Sequence, residues 1–252
     1  MAPLTGGTLA VDIGGTGVKM LVLDNRGDPL SERARRDTPR PASPAAIVET
    51  IVEMAQKQPP FERISVGFPG VVHDGIVATA PNLDGDWAGF ALADRLQEQL
   101  RRPVRAANDA DVQGLGVIEG RGVELVLTLG TGLGSALFVD GTLVPNFELA
   151  HHPFRKEITY EQYIGKRALS KVGKKKWSKR VLHVIDQIRP VWNCRTIYLG
   201  PRTIASMWSV KLPSVMESWR ERLKLVLPAK AIHRSLGTLS LGQSSTSPQY
   251  FP

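Results

Sequence analysis

The sequence of 252 residues contains one cysteine, Cys194, so neither an internal disulfide nor a Cys-rich zinc site can form, and a reducing cytoplasm is the expected compartment. It has no apolar run of about 18 residues, the length that a membrane-crossing helix requires, so no membrane span is expected. The opening Met1-Ala2-Pro3-Leu4-Thr5-Gly6-Gly7 lacks the basic and then apolar pattern of a secretory signal. Aromatic residues are few at 6%, but a hydrophobic content of 42% suffices for a real core. At roughly 100–200 residues per domain, the chain should hold one large or two small domains.

Acidic residues are scarce in one half only. Residues 1–150 carry 13 basic and 19 acidic side chains, net −6, whereas 151–252 carry 19 and 5, net +14, which together give the chain its +8. Such a split implies a polyanionic partner for the second half, whether a phosphate chain, nucleic acid or an acidic protein. The bland alternative is a solvated basic helix face.

Strand and helix signals alternate along the first half. Thr8–Ile13 and Val18–Leu23 are β-branched or aliphatic runs around a Gly-rich turn, which predicts a hairpin. Ser43-Pro44 reads as an N-cap with proline at the first helical position, and Ile47, Ile51 and Met54 follow at helical spacing, so a helix is predicted over about 43–57. An extended stretch at Ile64–Phe68, a loop over 69–89, a helix near 91–101 and a strand near 103–107 come next. Val123–Leu129 and Ser135–Val139 flank a second glycine turn. Helices are predicted over 158–172 and 177–188, the latter with Val181, Leu182, Val184, Ile185 and Ile188 as a buried stripe. The domain boundary is expected near 110–125, giving an N-terminal α/β lobe over 1–115 and a C-terminal one over 116–252. Gly237 to Pro252, rich in Ser, Gly, Pro and Gln, reads as a flexible tail.

Two motifs carry phosphate chemistry. In Asp12-Ile13-Gly14-Gly15-Thr16-Gly17-Val18-Lys19, glycines in a hairpin turn are expected to take positive φ and let backbone N–H groups point at a phosphate, with a hydroxyl from Thr16 and a cation-binding carboxylate from Asp12. Taken alone, an ordinary Gly-rich hairpin fits this stretch equally well. Thr128-Leu129-Gly130-Thr131-Gly132-Leu133-Gly134-Ser135 repeats the design about 115 residues later, as two lobes gripping one phosphate chain would require. Neither a Walker loop nor a dinucleotide glycine fingerprint is present. Between and after the turns, Asn82, Asn108-Asp109, Glu148 and His151 supply the mixed donors and acceptors that a polyhydroxy ligand needs. Read alone, Asn108-Asp109 is as well explained as a helix cap, and His151 and His152 as surface residues.

The ordered set Asp12–Lys19, Gly67-Phe68-Pro69-Gly70, Asn108-Asp109, Leu129–Gly134 and Glu148-x-x-His151 resembles the ROK family of sugar kinases. Arg155-Lys156, Tyr160-Glu161-Gln162-Tyr163 and Lys174-Lys175-Lys176-Trp177 narrow the resemblance to its polyphosphate-using glucokinase and glucomannokinase branch. The resemblance implies a two-lobed α/β fold of the actin-like/hexokinase ATPase superfamily, with ribonuclease H-like lobes and the active site in the cleft between them. It further implies a kinase that moves the terminal phosphoryl group of polyphosphate or ATP to the 6-hydroxyl of glucose, with mannose as a further acceptor. Asp109 would be the general base. Asn82, Asn108, Glu148, His151 and Glu161 would bind the sugar. Gly14, Gly15, Thr16, Lys19, Thr131 and Gly132 would cradle donor phosphates, with Lys174, Lys175 and Lys176 guiding the polyanion. Asp12 would help place Mg²⁺, directly or through water, and zinc is not expected. Phosphoryl transfer asks a protein mainly for positioning and charge neutralisation, which such a residue set can supply.

The pattern departs from the family at Ile197-Tyr198-Leu199-Gly200, where Pro201-Arg202-Thr203 replaces the glycine triplet that contacts the adenine nucleotide in relatives. Two rivals bracket the kinase reading. A sugar-responsive repressor of this family would need a helix-turn-helix domain, for which the 11 residues before Asp12 are too few. A non-catalytic polyanion-binding protein would use the basic half alone. Nucleic acid is not an expected partner, since only Trp177 offers an aromatic surface within the basic run. A monomer or a homodimer is expected.

Overall fold

The computed structural model of the chain describes residues 6–130, 132–201 and 223–225. The N-terminal part contains β1 (Thr8–Gly14), β2 (Gly17–Leu23), β3 (Ala34–Arg36), α1 (Pro44–Ala55), β4 (Arg63–Phe68), β5 (Val72–His73), β6 (Ile76–Val77), α2 (Leu92–Leu100) and β7 (Val104–Asn108). Then come α3 (Asp109–Leu115), β8 (Val123–Leu129), β9 (Leu133–Val139), β10 (Thr142–Val144), β11 (Pro153–Arg155), β12 (Ile158–Thr159), α4 (Tyr160–Ile164), α5 (Lys166–Trp192), β13 (Thr196–Pro201) and β14 (Leu223–Leu225).

Two five-stranded sheets form, ordered β3-β2-β1-β4-β7 and β10-β9-β8-β13-β14. In both, the first three strands are antiparallel and the last two join in parallel. The two hairpins that open the sheets, β1–β2 and β8–β9, therefore occupy equivalent places. This is the structural basis of the repeated glycine turn.

Local chemistry accounts for the helices. The Ser43 hydroxyl accepts an N–H from Ala46 at 3.4 Å, Pro44 sits where no donor is needed, and Ile47, Ile51 and Met54 bury the face of α1. Leu92 and Leu96 bury α2, which stops at Arg101 in the left-handed region, φ 52°. One core surrounds the first sheet, built on Leu9, Ile13, Met20, Ile51, Ile64 and Leu92. A second lies between the other sheet and α5, where Trp177, Val181, Val184, Ile185 and Ile188 form the expected stripe. The Trp177 indole N–H donates to the Ile164 carbonyl at 2.7 Å, tying α5 to α4.

Three expectations need correction. The helix predicted over 158–172 is instead a strand pair, a short helix and a new start. Ile158–Thr159 pairs with β11 and Gly165 adopts an extended conformation, ending α4. Gly173, at φ 72° and ψ 160°, then kinks α5 just before Lys174, at the break expected between 172 and 177. The predicted loop over 69–89 contains the small β5–β6 hairpin. The glycines of the first turn, Gly14, Gly15 and Gly17, do not take positive φ. They serve close approach instead: a methyl group at position 15 would lie 3.2 Å from the Asn82 carbonyl oxygen, and one at 14 would lie 3.1 Å from that of Gly17. The tail over 237–252 and the stretch after Pro201 that departs from the family lie outside the described residues, apart from the strand Leu223–Leu225.

Candidate active site

The site is built where the parallel strands of the first sheet end. Asp12, Gly67 and Ala107 stand side by side on β1, β4 and β7 in the strand register. At the end of β7 the Asn108 side chain accepts from the backbone N–H groups of Ala110 and Asp111, at 2.8 and 3.4 Å, and so caps α3. The cap and the functional pair are thus one structure, because capping α3 places Asp109 as its first residue. A methyl at Gly67 would sit in van der Waals contact with Asp109, 3.4 Å from its Cα. The bare glycine lets α3 start directly against β4.

α3 also touches the second sheet. A methyl at Gly134 would lie 2.3 Å from the Thr128 Oγ1 and 3.1 Å from the Ala110 Cβ, and one at Gly114 would lie 2.6 Å from the Phe138 ring. Both positions must be bare for a helix that begins on one sheet to pack on the other. The sequence reading placed Gly134 in the second glycine turn and had no account of Gly114; the packing role of both depends on contacts distant in sequence.

A cleft of about 240 Å³ opens at this junction, and among its lining residues are Asn82, Asn108, Asp109, Glu148, His151 and Glu161. All six residues singled out for catalysis and sugar binding therefore meet in one cavity. Asn108 and Asp109 are buried, whereas Glu148 and His151 are exposed. The Asn108 Nδ2 donates to Glu148 Oε1 at 3.0 Å and to the Gly70 carbonyl at 3.1 Å. Glu161, on α4, accepts the backbone N–H of Leu133 at 3.2 Å, fixing α4 to the second glycine turn. His152 turns away from the cleft and packs against Tyr160, ring centroids 6.2 Å apart.

Asp111, two residues beyond the cleft-lining Asp109, is 1% exposed. Burial pushes its carboxyl up to about 7, and the nearby Glu148 and Asp109 charges add to the rise despite a hydrogen bond from the Asn146 backbone. Asn146 itself, at φ 58°, also exchanges hydrogen bonds with Val72, accepting from its N–H at 3.1 Å and donating to its carbonyl at 3.0 Å. The loop ahead of Glu148 is thereby fastened to β5.

The phosphate candidates are distributed differently. In the first turn, the carbonyls of Gly14, Gly15 and Thr16 are held by Thr38, Arg40 and Arg35 at 2.5, 2.9 and 3.3 Å. Sequence reasoning missed these three supports, which sit in a loop and short edge strand without a motif of their own. Lys19 lies opposite Asp12 in the hairpin register and pairs with it at 3.1 Å. In the second turn Gly130 donates its N–H to the Gly132 carbonyl at 3.0 Å, and Thr131 lies outside the described residues. Lys174, Lys175 and Lys176 are exposed on α5 and do not line the cleft.

Among the described residues no group of three or more His, Cys, Asp or Glu could hold a metal ion by itself. A magnesium ion that keeps waters and binds substrate phosphates needs only one or two carboxylates; Asp12 lies beside Gly67 in the strand register, and the Asp109 Cα lies 3.4 Å from where a methyl at Gly67 would sit. No described helix is long and apolar enough to cross a membrane.

Two matching mixed sheets, an interlobe helix and a polar cleft between them define the actin-like/hexokinase class of two-lobed phosphoryl-transfer folds. Within that class the chain belongs to the ROK family, whose family model matches residues 8–145. It is 34% identical over 197 residues to a polyphosphate glucokinase of Mycobacterium tuberculosis, covering 72% of each chain. The crystal structure of the inorganic polyphosphate/ATP-glucomannokinase of Arthrobacter sp. strain KM superposes with a TM-score of 0.77 at 30% identity, over 92% of this chain and 97% of that one. A ROK family glucokinase from Streptomyces griseus, solved with glucose and AMPPNP, shares the fold at TM-score 0.61 and 22% identity, over 78% of this chain and 83% of that one.

Proposed function

We propose that the chain transfers the terminal phosphoryl group of inorganic polyphosphate or ATP to the 6-hydroxyl of glucose, with mannose as a further acceptor. The observation that carries this reading is the convergence of Asn82, Asn108, Asp109, Glu148, His151 and Glu161 on one cleft between the two glycine turns. The similarity to glucokinases that use polyphosphate supports the choice of acceptor and donor.

In this mechanism the sugar lies between the neutral amides and the carboxylates of the cleft. Glu148, held by Asn108, and Glu161, held by the Leu133 N–H, accept hydrogen bonds from sugar hydroxyls. Asp109 takes the proton of the 6-hydroxyl as that oxygen attacks phosphorus, a contribution of about 10²–10⁴-fold for a positioned base. Glycines at 14 and 15 keep the first turn low enough for donor phosphates to approach its backbone. Mg²⁺, when bound with the donor, neutralises phosphate charge, and Asp12 would hold it directly or through water.

The test is formation of hexose 6-phosphate from glucose and from mannose with Mg²⁺, run in parallel with polyphosphate and ATP and with Asp109→Asn as control. Product that depends on Asp109 is the expected result. Absence of product with both donors overturns the reading.

A further inference from the structure

A second cavity, of about 410 Å³, lies beside the cleft and is lined almost wholly by cations. α4 separates the two, with Glu161 lining the cleft and Tyr163 lining the second cavity. One wall is the β11–β12 hairpin with Arg155 and Lys156, and the other is α5 with Lys176, Lys179 and Arg180. The three on α5 share a helical face at i, i+3 and i+4. That wall is firm, because Trp177 and Val181 on the same helix are buried in the core. Arg180 donates to the Tyr163 carbonyl at 3.2 Å and lies over its ring, 4.7 Å from the centroid.

Two features of this cavity oppose stability. None of the five cations forms an ion pair among the described residues, so like charges crowd one opening. The hairpin tip is also strained. Arg155 pairs with Ile158, leaving Lys156 and Glu157 as a two-residue turn, and both occupy the left-handed region at φ 46° and 62°. Turns of this kind favour Asn or Gly, and an ordinary side chain there costs energy. A lysine presented to an already crowded cationic cavity points to an anion that neutralises the charge.

We infer that this cavity docks consecutive phosphates of a linear condensed phosphate, at a place distinct from the glycine turns where transfer occurs. Five cations on two separate elements exceed what a single phosphate can engage, whereas a chain of regularly spaced anionic oxygens can meet all of them. Nucleic acid fits less well. The one aromatic ring in the lining, Tyr163, already carries Arg180 and packs against Phe154 at 4.9 Å, leaving no platform on which bases stack. The choice of condensed phosphate among polyanions rests on the donor reading above.

The experiment is equilibrium binding of long-chain polyphosphate and of tripolyphosphate to the full chain and to R155A/K179A, across a salt series. Long-chain affinity should fall about tenfold and the salt slope should lessen by about two, as two charge contacts are lost. Tripolyphosphate affinity should change less than about twofold, and R155K/K179R should restore long-chain binding. If the double alanine variant fails to fold, K179E, on an exposed side chain of α5, carries the same test. Unchanged long-chain affinity overturns the inference, as does RNA competing as well as polyphosphate at equal phosphate concentration. Hexose phosphorylation with unaltered long-chain binding sinks the docking site alone. Weakened binding in a chain that phosphorylates no hexose from any donor upholds the docking site and sinks the kinase reading.

Discussion

Asn108 reaches across the cleft to Glu148, its Nδ2 at 3.0 Å from Oε1, while its own Oδ1 caps α3. One side chain thus orders the helix that starts with Asp109 and orients a carboxylate on the opposite lobe. Asn108→Ala should cost about 1–2 kcal/mol of stability through loss of the cap and raise the KM for glucose at least about tenfold. Asn108→Asp keeps the capping oxygen but sets a carboxylate against Glu148. It should therefore retain more stability than the alanine variant in urea unfolding and still bind glucose poorly. Equal stability loss in the two variants would disprove the capping role.

Asp109→Asn should lower kcat by about 10²–10⁴-fold with glucose affinity changed only a few-fold, since the amide keeps the shape of the carboxylate but takes up no proton. Steady-state kinetics together with glucose binding to the donor-free protein separates the two effects. Turnover within about tenfold of the parent would exclude Asp109 as the base.

The raised Asp111 carboxyl makes stability depend on pH. An unfolded chain releases this proton near 3.8, whereas the folded one keeps it up to about 7. Between those values the folded state binds more protons, so stability should fall with rising pH by up to about 1.4 kcal/mol per pH unit from this group. Asp111→Asn should remove that slope, and its advantage over the parent should be larger at pH 8 than at pH 5. Denaturant unfolding at a series of pH values checks it, and parallel curves for the two proteins would refute the assignment.

Gly134→Ala places a methyl between Thr128 and Ala110, where the spacing leaves no room. Overpacking of this kind costs about 1–3 kcal/mol. Because Gly134 also lines the cleft, glucose affinity should fall together with the melting temperature. A variant with the parent's melting temperature and affinity would show that α3 is not held in place by this contact.

Much of this fold was legible because local rules agreed with the tertiary ones. Ser43-Pro44 marks the start of α1 by cap chemistry alone, and the stripe from Val181 to Ile188 marks a buried helix face by its period. The six cleft residues stand out in the sequence as motifs, and the structure gathers them in one cavity: Asn108, Asp109 and Glu161 at or near the ends of β7, α3 and α4, and Asn82, Glu148 and His151 from the intervening loops. Gly165 misled, since a glycine within an apolar periodic run does not announce whether it breaks a helix, whereas Gly173 kinks α5 at the break expected between 172 and 177. Arg35, Thr38 and Arg40 were invisible for a different reason. Their partners are backbone carbonyls 19 to 25 residues away, and a carbonyl has no letter in the sequence.

Because α3 rests on both sheets through bare glycines at 67, 114 and 134, it is the natural axle for any rocking of one lobe against the other. Points near an axle travel least. Asp109, at its tip, would hold its station while the walls bearing Glu148 and His151 swing, so that closure over a sugar brings the ligand to a stationary base rather than the base to the ligand.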